Sequence, residues 1–119
     1  MTKPRVIVCG GRGFDDADFL EAKLDEMHAE YAFRDLMQGG AFGADRLAKI
    51  WAMTRHPEIV LWQINAEWSK FGLGAGFIRN KRMMDWKPDM VVAFPGGKGT
   101  QNMVELAHAA GVEVVEVKP

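Results

Sequence analysis

One glycine-rich turn carries the clearest chemistry in the sequence. The stretch Pro95-Gly96-Gly97-Lys98-Gly99-Thr100 follows the apolar run Met90–Phe94 and precedes a segment with apolar residues at helical spacing, Gln101–Ala110. A turn from a strand into a helix gathers backbone N–H groups at the positive end of the helix. Its glycines leave the ligand side open, so an anion can approach the backbone closely. The turn therefore predicts a cradle for phosphate.

Two further glycine-rich turns precede helical patterns. They are Gly10-Gly11-Arg12-Gly13-Phe14 and Gly39-Gly40-Ala41-Phe42-Gly43-Ala44-Asp45. In a parallel α/β sheet all three turns fall at the carboxyl ends of strands, where open sheets bind ligands. The need for a tight turn explains any single glycine-rich turn equally well. Three such turns at one edge of the sheet favour a binding site for a polar ligand.

Side chains near these turns suit a phosphorylated ligand. Arg12 and Arg79 can each grip a phosphate with two hydrogen bonds, and Lys98 adds a compact positive charge. Thr100 either caps its helix or offers its hydroxyl to the ligand. Asp45 either accepts hydrogen bonds from ribose hydroxyls or caps the second helix, and the sequence leaves both alternatives open.

Aromatic residues in the same turns and in the next long loop have two readings. Trp68, Phe14 and Phe42 can stack on a nucleobase, as aromatic side chains do in nucleic-acid-binding proteins. For each residue taken singly, packing in the core or the loop is the more frequent role. The sequence alone does not decide between them.

Metal and nucleophile chemistry has weaker support. Asp15, Asp16 and Asp18 can hold Mg²⁺ beside a phosphate, but a helix N-terminus explains these carboxylates without a metal. The three histidines, His28, His56 and His108, show no metal-ligand spacing, and we expect surface or packing roles for them. No Ser/His/Asp or Cys/His nucleophile arrangement can be assembled. We therefore expect no resident metal or cofactor, with Mg²⁺ accompanying a phosphate ligand as the exception.

The elements that must position these residues alternate along the chain. Strands are predicted at 5–9, 34–38, 59–64, 90–94 and 113–117; helices are predicted between them, with 65–75 as the longest loop. The second helix shows Leu47, Ile50, Trp51 and Thr54 on one face. This alternation predicts an α/β fold, a parallel sheet with helices on both faces and the turns at its carboxyl edge.

Composition narrows the class of protein. With 119 residues, 48% apolar, the chain fits one domain over 1–119, and a net charge of −1 does not indicate a nucleic-acid binder. No apolar run approaches the roughly 20 residues of a membrane span. A single cysteine, Cys9, excludes an internal disulfide, and Met1-Thr2-Lys3-Pro4 leads directly into a strand rather than a signal peptide. We expect a cytoplasmic domain.

Taken in order, the motifs resemble those of the SLOG superfamily, and within it the small YspA/YpsA-related branch. The shared pattern is Gly10-Gly11-Arg12-Gly13-Phe14, then Gly39-Gly40-Ala41-x-Gly43-Ala44-Asp45, then Trp68 with Gly76 and Arg79-Asn80-x-x-Met83, then Pro95-Gly96-Gly97-x-Gly99-Thr100. The resemblance implies a Rossmann-like three-layer sandwich with a mostly parallel five-stranded sheet in the order 3-2-1-4-5. It also implies a nucleotide or phosphate ligand. The superfamily includes the LOG phosphoribohydrolases, which release the base from nucleoside monophosphates, and the DprA proteins, which bind single-stranded DNA.

One departure from the LOG pattern bears on catalysis. LOG enzymes place glutamates two or three residues after this turn, whereas this chain has Asn102 and Met103, and its first glutamate is Glu105. An amide and a thioether cannot act as a carboxylate base. The leading hypothesis is therefore a binding domain that senses or sequesters a nucleotide-derived phosphate, with ADP-ribose-like compounds among the candidates. Asn80 and Asp45 would orient its ribose.

Two alternatives and an assembly state complete the sequence-based hypotheses. The enzyme alternative is a LOG-type nucleoside-phosphate N-glycosidic hydrolase, with Asp45 as its one obvious carboxylate. The second alternative is single-stranded DNA binding in the DprA manner, which the net charge disfavours. We also expect a homo-oligomer, a dimer or tetramer, because a small domain offers a shallow cleft and superfamily members often assemble.

Overall fold

A computed structural model describes residues 3–119. Met1 and Thr2, part of the segment for which the sequence predicts no signal peptide, lie outside the described residues. The strands are β1 (Arg5–Cys9), β2 (Asp35–Gln38), β3 (Val60–Gln63), β4 (Met90–Ala93) and β5 (Glu113–Glu116). The helices are α1 (Ala17–Tyr31), α2 (Ala44–Arg55), the one-turn α3 (Trp68–Phe71), α4 (Ala75–Asp85) and α5 (Lys98–Ala109). A 3₁₀ turn, Gly72–Gly74, joins α3 to α4.

The sheet confirms the predicted topology. Its five strands are all parallel and follow the order β3-β2-β1-β4-β5, as in a Rossmann-like fold. The strand order reverses between β1 and β4. In open α/β sheets this switch point opens a crevice at the carboxyl ends of the strands. Within residues 3–119, no helix is long and apolar enough to cross a bilayer.

Helices cover both faces of the sheet, so the fold has three layers. On one face, α1 and α2 pack against the sheet through a core that includes Leu24, Trp51 and Phe94. On the other face, α4 and α5 pack through a second core with Met83 and Met103. The three central strands are buried on both faces, which explains the short apolar runs of β1 and β4. The third, β2, is also buried but carries the polar residues Asp35 and Gln38 at its ends.

The predicted core face of α2 is partly wrong. Trp51 is buried as expected, but Ile50 is 44% exposed and Thr54 faces solvent. Small residues, Ala48 and Ala52, occupy the buried face instead. They allow the helix to lie close to the sheet, and the bulkier apolar side chain is displaced outward.

The long loop predicted at 65–75 is also wrong, because much of it is helical. The backbone N–H groups of Lys70 and Phe71 donate to the carbonyl of Glu67 at 3.0 and 2.9 Å, which begins α3. An ion pair of 2.8 Å between Arg82 and Glu67 ties this segment to α4. The glycines at 72, 74 and 76 indicated an irregular loop, but two of them only frame a tight turn between two helices.

Candidate functional site

A cleft with a volume of about 510 Å³ opens at the carboxyl ends of β1, β2 and β4. It lies on the side of the sheet covered by α4 and α5, and its floor includes Val8 and Cys9. Thirteen of the residues singled out from the sequence line this cleft: Gly10, Gly11, Arg12, Gly39, Ala41, Asp45, Trp68, Arg79, Asn80, Gly97, Lys98, Gly99 and Thr100. Segments far apart in sequence thus share one cavity.

The N-terminus of α5 points its unbonded backbone groups at this cleft. Gly97 occupies the N-cap position and no side chain caps the helix, so Thr100 is not the cap. The first intrahelical bond runs from the Gln101 N–H to the Gly97 carbonyl at 3.0 Å, which leaves the N–H groups of the first turn without intrahelical acceptors. A Cβ at Gly97 or Gly99 would meet no atom within 4 Å. This end of the helix is therefore free to receive an anion.

The glycine turns interlock, which fixes the shape of the cleft. The Gly11 N–H donates to the Pro95 carbonyl at 2.9 Å, and the Gly11 carbonyl accepts from Ala44 at 3.2 Å. A Cβ at Gly10 would lie 2.6 Å from the Cβ of Ala44, and one at Gly96 would collide with the Thr100 hydroxyl. Several glycines are thus required because other parts of the turns pack directly on their backbone.

A chain of hydrogen bonds holds Arg79 across the cleft. Its Nη1 donates to the Gly39 carbonyl at 2.5 Å and its Nε donates to Asn80 Oδ1 at 3.0 Å. The amide of Asn80, which is 4% exposed, donates in turn to the Gly99 carbonyl and to Asn102 Oδ1, both at 3.0 Å. Asn80 therefore positions Arg79 and the first turn of α5 relative to each other.

Asp45 is a buried carboxylate at the wall of the cleft. It is 5% exposed and accepts a hydrogen bond of 3.2 Å from the Ala41 N–H. Gly43, not Asp45, is the N-cap residue of α2. Burial raises the pKa of Asp45 to about 6, although the Ala41 amide and the charge of Arg79 oppose the shift. The carboxylate therefore changes charge near neutral pH, which is unusual for an aspartate.

The mouth of the cleft is aromatic and apolar. The guanidinium of Arg12 lies over the Trp68 ring, 4.8 Å from its centroid. Leu73 and Phe77 continue this rim, and Leu73 is 96% exposed. A planar base could rest on this surface while its phosphate lies at α5.

Seven of the residues singled out from the sequence lie outside this cleft, among them the stacking candidate Phe42, which is 66% exposed. Phe14 packs against Phe94 on the other side of the first turn, at a ring-centroid distance of 5.6 Å. The others support or neighbour the turns rather than line the cavity: Gly40, Gly43, Ala44, Pro95 and Gly96.

Sequence reasoning did not include Leu73, Phe77 and Met103, which also line the cleft. One sequence pattern could have predicted part of this wall of the cleft. Gly76, Arg79, Asn80 and Met83 follow helical spacing and all face the cavity, so Phe77 lies beside them on α4. Leu73 carries no such signal, because its place depends on the turn Gly72–Gly74.

Potential metal ligands converge away from the cleft. Among residues 3–119, the one group of three or more nearby ligand atoms is His28, His56 and Glu58. The Phe33 N–H donates to His28 Nδ1 at 2.9 Å, so the neutral ring carries its proton on Nε2, the atom that faces Glu58 at 2.9 Å. That nitrogen has no lone pair to offer a metal. Asp16 caps α1 by accepting from the Phe19 N–H at 3.1 Å.

The fold and the cleft define a Rossmann-like α/β domain with an open cleft at its switch point. The sequence profile of the YspA, cpYpsA-related SLOG family (YAcAr) matches residues 4–71. The gene 61 protein of Mycobacterium phage D29 is 32% identical over 117 residues, which cover 93% of this chain and 94% of that protein. No solved structure matches the chain. The chain belongs to the YspA, cpYpsA-related SLOG family.

Proposed function

We propose that this domain binds a nucleotide or a nucleotide-derived phosphate ligand and serves to sense or sequester it. The observation that carries the proposal is the uncapped N-terminus of α5, which faces the cleft beside three cationic side chains, Arg12, Arg79 and Lys98. Family membership supports a nucleotide-related ligand. ADP-ribose-like compounds remain among the candidates.

The charges of the site support a ligand with about two negative charges. Three cations and one carboxylate, Asp45, line the cleft, and within residues 3–119 none of the cations lies within 4 Å of a carboxylate oxygen. Unpaired cations around a helix N-terminus favour a phosphate over a neutral ligand. Any Mg²⁺ would enter bound to the ligand's phosphates, because Asp16 is engaged as a cap and the acidic side chains of this loop do not converge.

Each half of the ligand has a place in this proposal. The phosphate lies at the first turn of α5, with Lys98 and Thr100 beside it. Arg12 closes on it from the first glycine turn and Arg79 closes on it from α4. The base rests on Trp68 at the mouth of the cleft, and Asp45 accepts from the ribose. Asn80 acts as a positioning residue, since its polar atoms are bonded to the protein.

A thermal-shift experiment with AMP, ADP and ADP-ribose tests the proposal. Gly97→Val should abolish the ligand-induced rise in Tm, because the valine side chain would enter the space at the start of α5 without meeting another atom within 4 Å at its Cβ. The Tm of the free variant is measured beside it, since the Gly97 backbone (φ −105°, ψ −140°) favours glycine. Gly74→Val is the matched control, since a Cβ there also meets nothing and Gly74 does not line the cleft. An unchanged shift in Gly97→Val would remove this turn from the site.

A hydrolase remains the second candidate, because burial gives Asp45 a pKa of about 6 and so suits it to acid–base chemistry. The LOG-type alternative lacks its usual glutamate. Asn102 is bonded to Asn80, and Glu105 accepts from Gln101 at 3.3 Å on the exposed side of α5. Chromatography of free base released from AMP separates the two functions. Release that Asp45→Asn abolishes would contradict pure binding.

We also propose a cytoplasmic homo-oligomer. The support is a set of exposed apolar side chains, including Leu73 at the mouth of the cleft and Trp62 on the edge strand β3. Light scattering coupled to size-exclusion chromatography tests this proposal. A monomer at 100 μM protein would contradict it.

A further inference from the structure

A second pocket adjoins the cleft on the opposite side of the glycine turns. Its volume is about 590 Å³, and Phe14, Phe19 and Pro95 form its walls on the α1 side of the sheet. Gly11, Arg12 and Gly97 line both cavities. The ridge between the two cavities is the pair of turns joined by the Gly11–Pro95 hydrogen bond.

Steric contacts require glycine at some positions of the turns but not at others. Gly13 and Gly97 have ordinary negative φ, and a Cβ at either would meet no atom within 4 Å. Gly10 and Gly96 differ, since a Cβ there would collide with neighbouring atoms. A side chain at Gly13 would therefore not clash with the protein, and both Gly13 and Gly97 border the second pocket, although the Gly97 backbone (φ −105°, ψ −140°) itself lies outside the region that other residues favour. Bare backbone at these positions keeps space open for a ligand.

The walls of the second pocket suit a planar ring. The Phe14 and Phe19 rings are tilted by 55° with their centroids 6.5 Å apart, and both side chains are half-buried. Asp15 also lines the pocket and is exposed, so its carboxylate can accept from an amine or carboxamide on the ring edge. Arg12 and Asp16 also line the pocket, and Asp16 is engaged as the cap of α1. Apolar walls with a few polar groups are typical of sites for heterocycles.

We infer that this pocket holds the second ring of a ligand whose two nucleoside-like halves are joined by a diphosphate lying at Gly97. The inference rests on the proposed function, because it places the phosphates at α5. It adds that one half occupies the cleft and the other crosses the ridge at Gly11 into the Phe14–Phe19 pocket. A nucleoside monophosphate or diphosphate would fill the cleft and leave the second pocket unused.

Calorimetric titration of the wild-type protein and Gly13→Val with ADP and NAD⁺ tests the inference. Both probes carry two phosphates, but only NAD⁺ carries a second ring. Gly13→Val should weaken NAD⁺ at least tenfold and change the affinity for ADP less than twofold, because Gly13 lines only the second pocket. Urea unfolding checks that the variant folds as the wild type does.

Asp15→Ala provides a second variant at an exposed position where folding is not at risk. It should weaken NAD⁺ about threefold or more and leave ADP unchanged. Three results would overturn the inference while the proposed function stands. The first is that the variants weaken ADP and NAD⁺ equally, and the second is that the wild type binds NAD⁺ no better than Gly13→Val does. The third is that two ADP molecules bind per chain. If neither probe binds, the proposed function fails and the inference fails with it.

Discussion

The two edges of the sheet both carry charged side chains, but they use them differently. At the amino edge, a cluster formed by Asp25, His28, Arg55, His56 and Glu58 is bonded to itself. Arg55 lies 3.0 Å from Asp25, and His28 lies 2.9 Å from Glu58. At the carboxyl edge, the cations of the cleft have no carboxylate partner within 4 Å among residues 3–119.

The charged side chains therefore have different roles at the two edges of the sheet. Side chains at the amino edge satisfy one another and hold the ends of α1 and α2 together. At the carboxyl edge, Arg12 and Lys98 face an open cavity and form no salt bridge within residues 3–119, which leaves them available for an anion, while hydrogen bonds to Gly39 and Asn80 hold Arg79. Substitutions at the amino edge should therefore change stability alone, and substitutions of the cleft cations should change binding alone.

The largest effect is expected from the double variant Arg12→Ala/Lys98→Ala. Each cation would make a charge-assisted hydrogen bond of about 1.5 kcal/mol or more to the phosphate, so AMP affinity should fall at least 100-fold. Stability to urea should change by less than about 0.5 kcal/mol, because both side chains are exposed and Arg12 contacts only the exposed ring of Trp68. Arg55→Ala is the control and should leave AMP affinity unchanged. A loss of binding in that control would break the comparison.

The next effect concerns Asp45 and pH. Its pKa is about 6 in the folded protein against an ordinary 3.8, so the folded state binds the proton more tightly than the unfolded state. Stability contributed by the protonated form is therefore present below about pH 4 and is lost as pH rises through 6. Asp45→Asn should match the wild type near pH 4 and exceed its stability by up to about 3 kcal/mol at pH 8. Urea unfolding at both pH values measures this. Equal stabilities at pH 8 would show that Arg79 compensates the charge fully.

A smaller effect is expected at the amino edge. The indole N–H of Trp51, which is fully buried, donates to Asp25 Oδ1 at 2.8 Å. Asp25→Ala leaves this donor unpaired and should cost about 1–2 kcal/mol of stability, with no change in AMP affinity. The hydrogen bond from Trp51 lowers the pKa of Asp25, so its contribution is present above the ordinary pKa and disappears as pH falls below it. Asp25→Asn, which keeps an acceptor, is the matched control and should lose less.

The smallest expected effect is a null result with zinc. Since the Phe33 N–H leaves His28 Nε2 protonated, Zn²⁺ at 100 μM should not raise the Tm by more than about 1 °C. A larger rise that disappears in Glu58→Gln would show that the amino edge also binds a ligand, and the distinction between the two edges would fail.

The sequence was sufficient to predict the topology and the edge of the sheet at which the cleft opens. Strict alternation of strands and helices predicted the parallel sheet, and glycine turns before helices marked its carboxyl edge. Helical spacing alone could not show which face of α2 is buried, because Ala48 and Ala52 read as neutral while Ile50 reads as core. The buried face of α2 is the one with small side chains, which let the helix pack close to the sheet, and not the one with the most hydrophobic side chain.

The sequence could not predict the rim of the cleft or the charged cluster at the amino edge, for a different reason. Leu73 reaches the cleft only because a 3₁₀ turn follows α3, and glycine-rich segments do not reveal such turns in advance. His28 and Glu58 are 30 positions apart and meet because α1 ends beside the start of β3. Contacts of this kind depend on how whole elements pack, and no local pattern encodes them.

The thiol on the floor of the cleft gives the site a chemical character of its own. Burial, reinforced by the nearby charge of Asp45, raises the pKa of Cys9 to about 12. At physiological pH almost none of it is thiolate, the form that oxidants and alkylating agents attack. The domain should therefore keep its binding capacity under oxidative stress, and a loss of function on treatment with peroxide would have to arise elsewhere, for instance at its methionines.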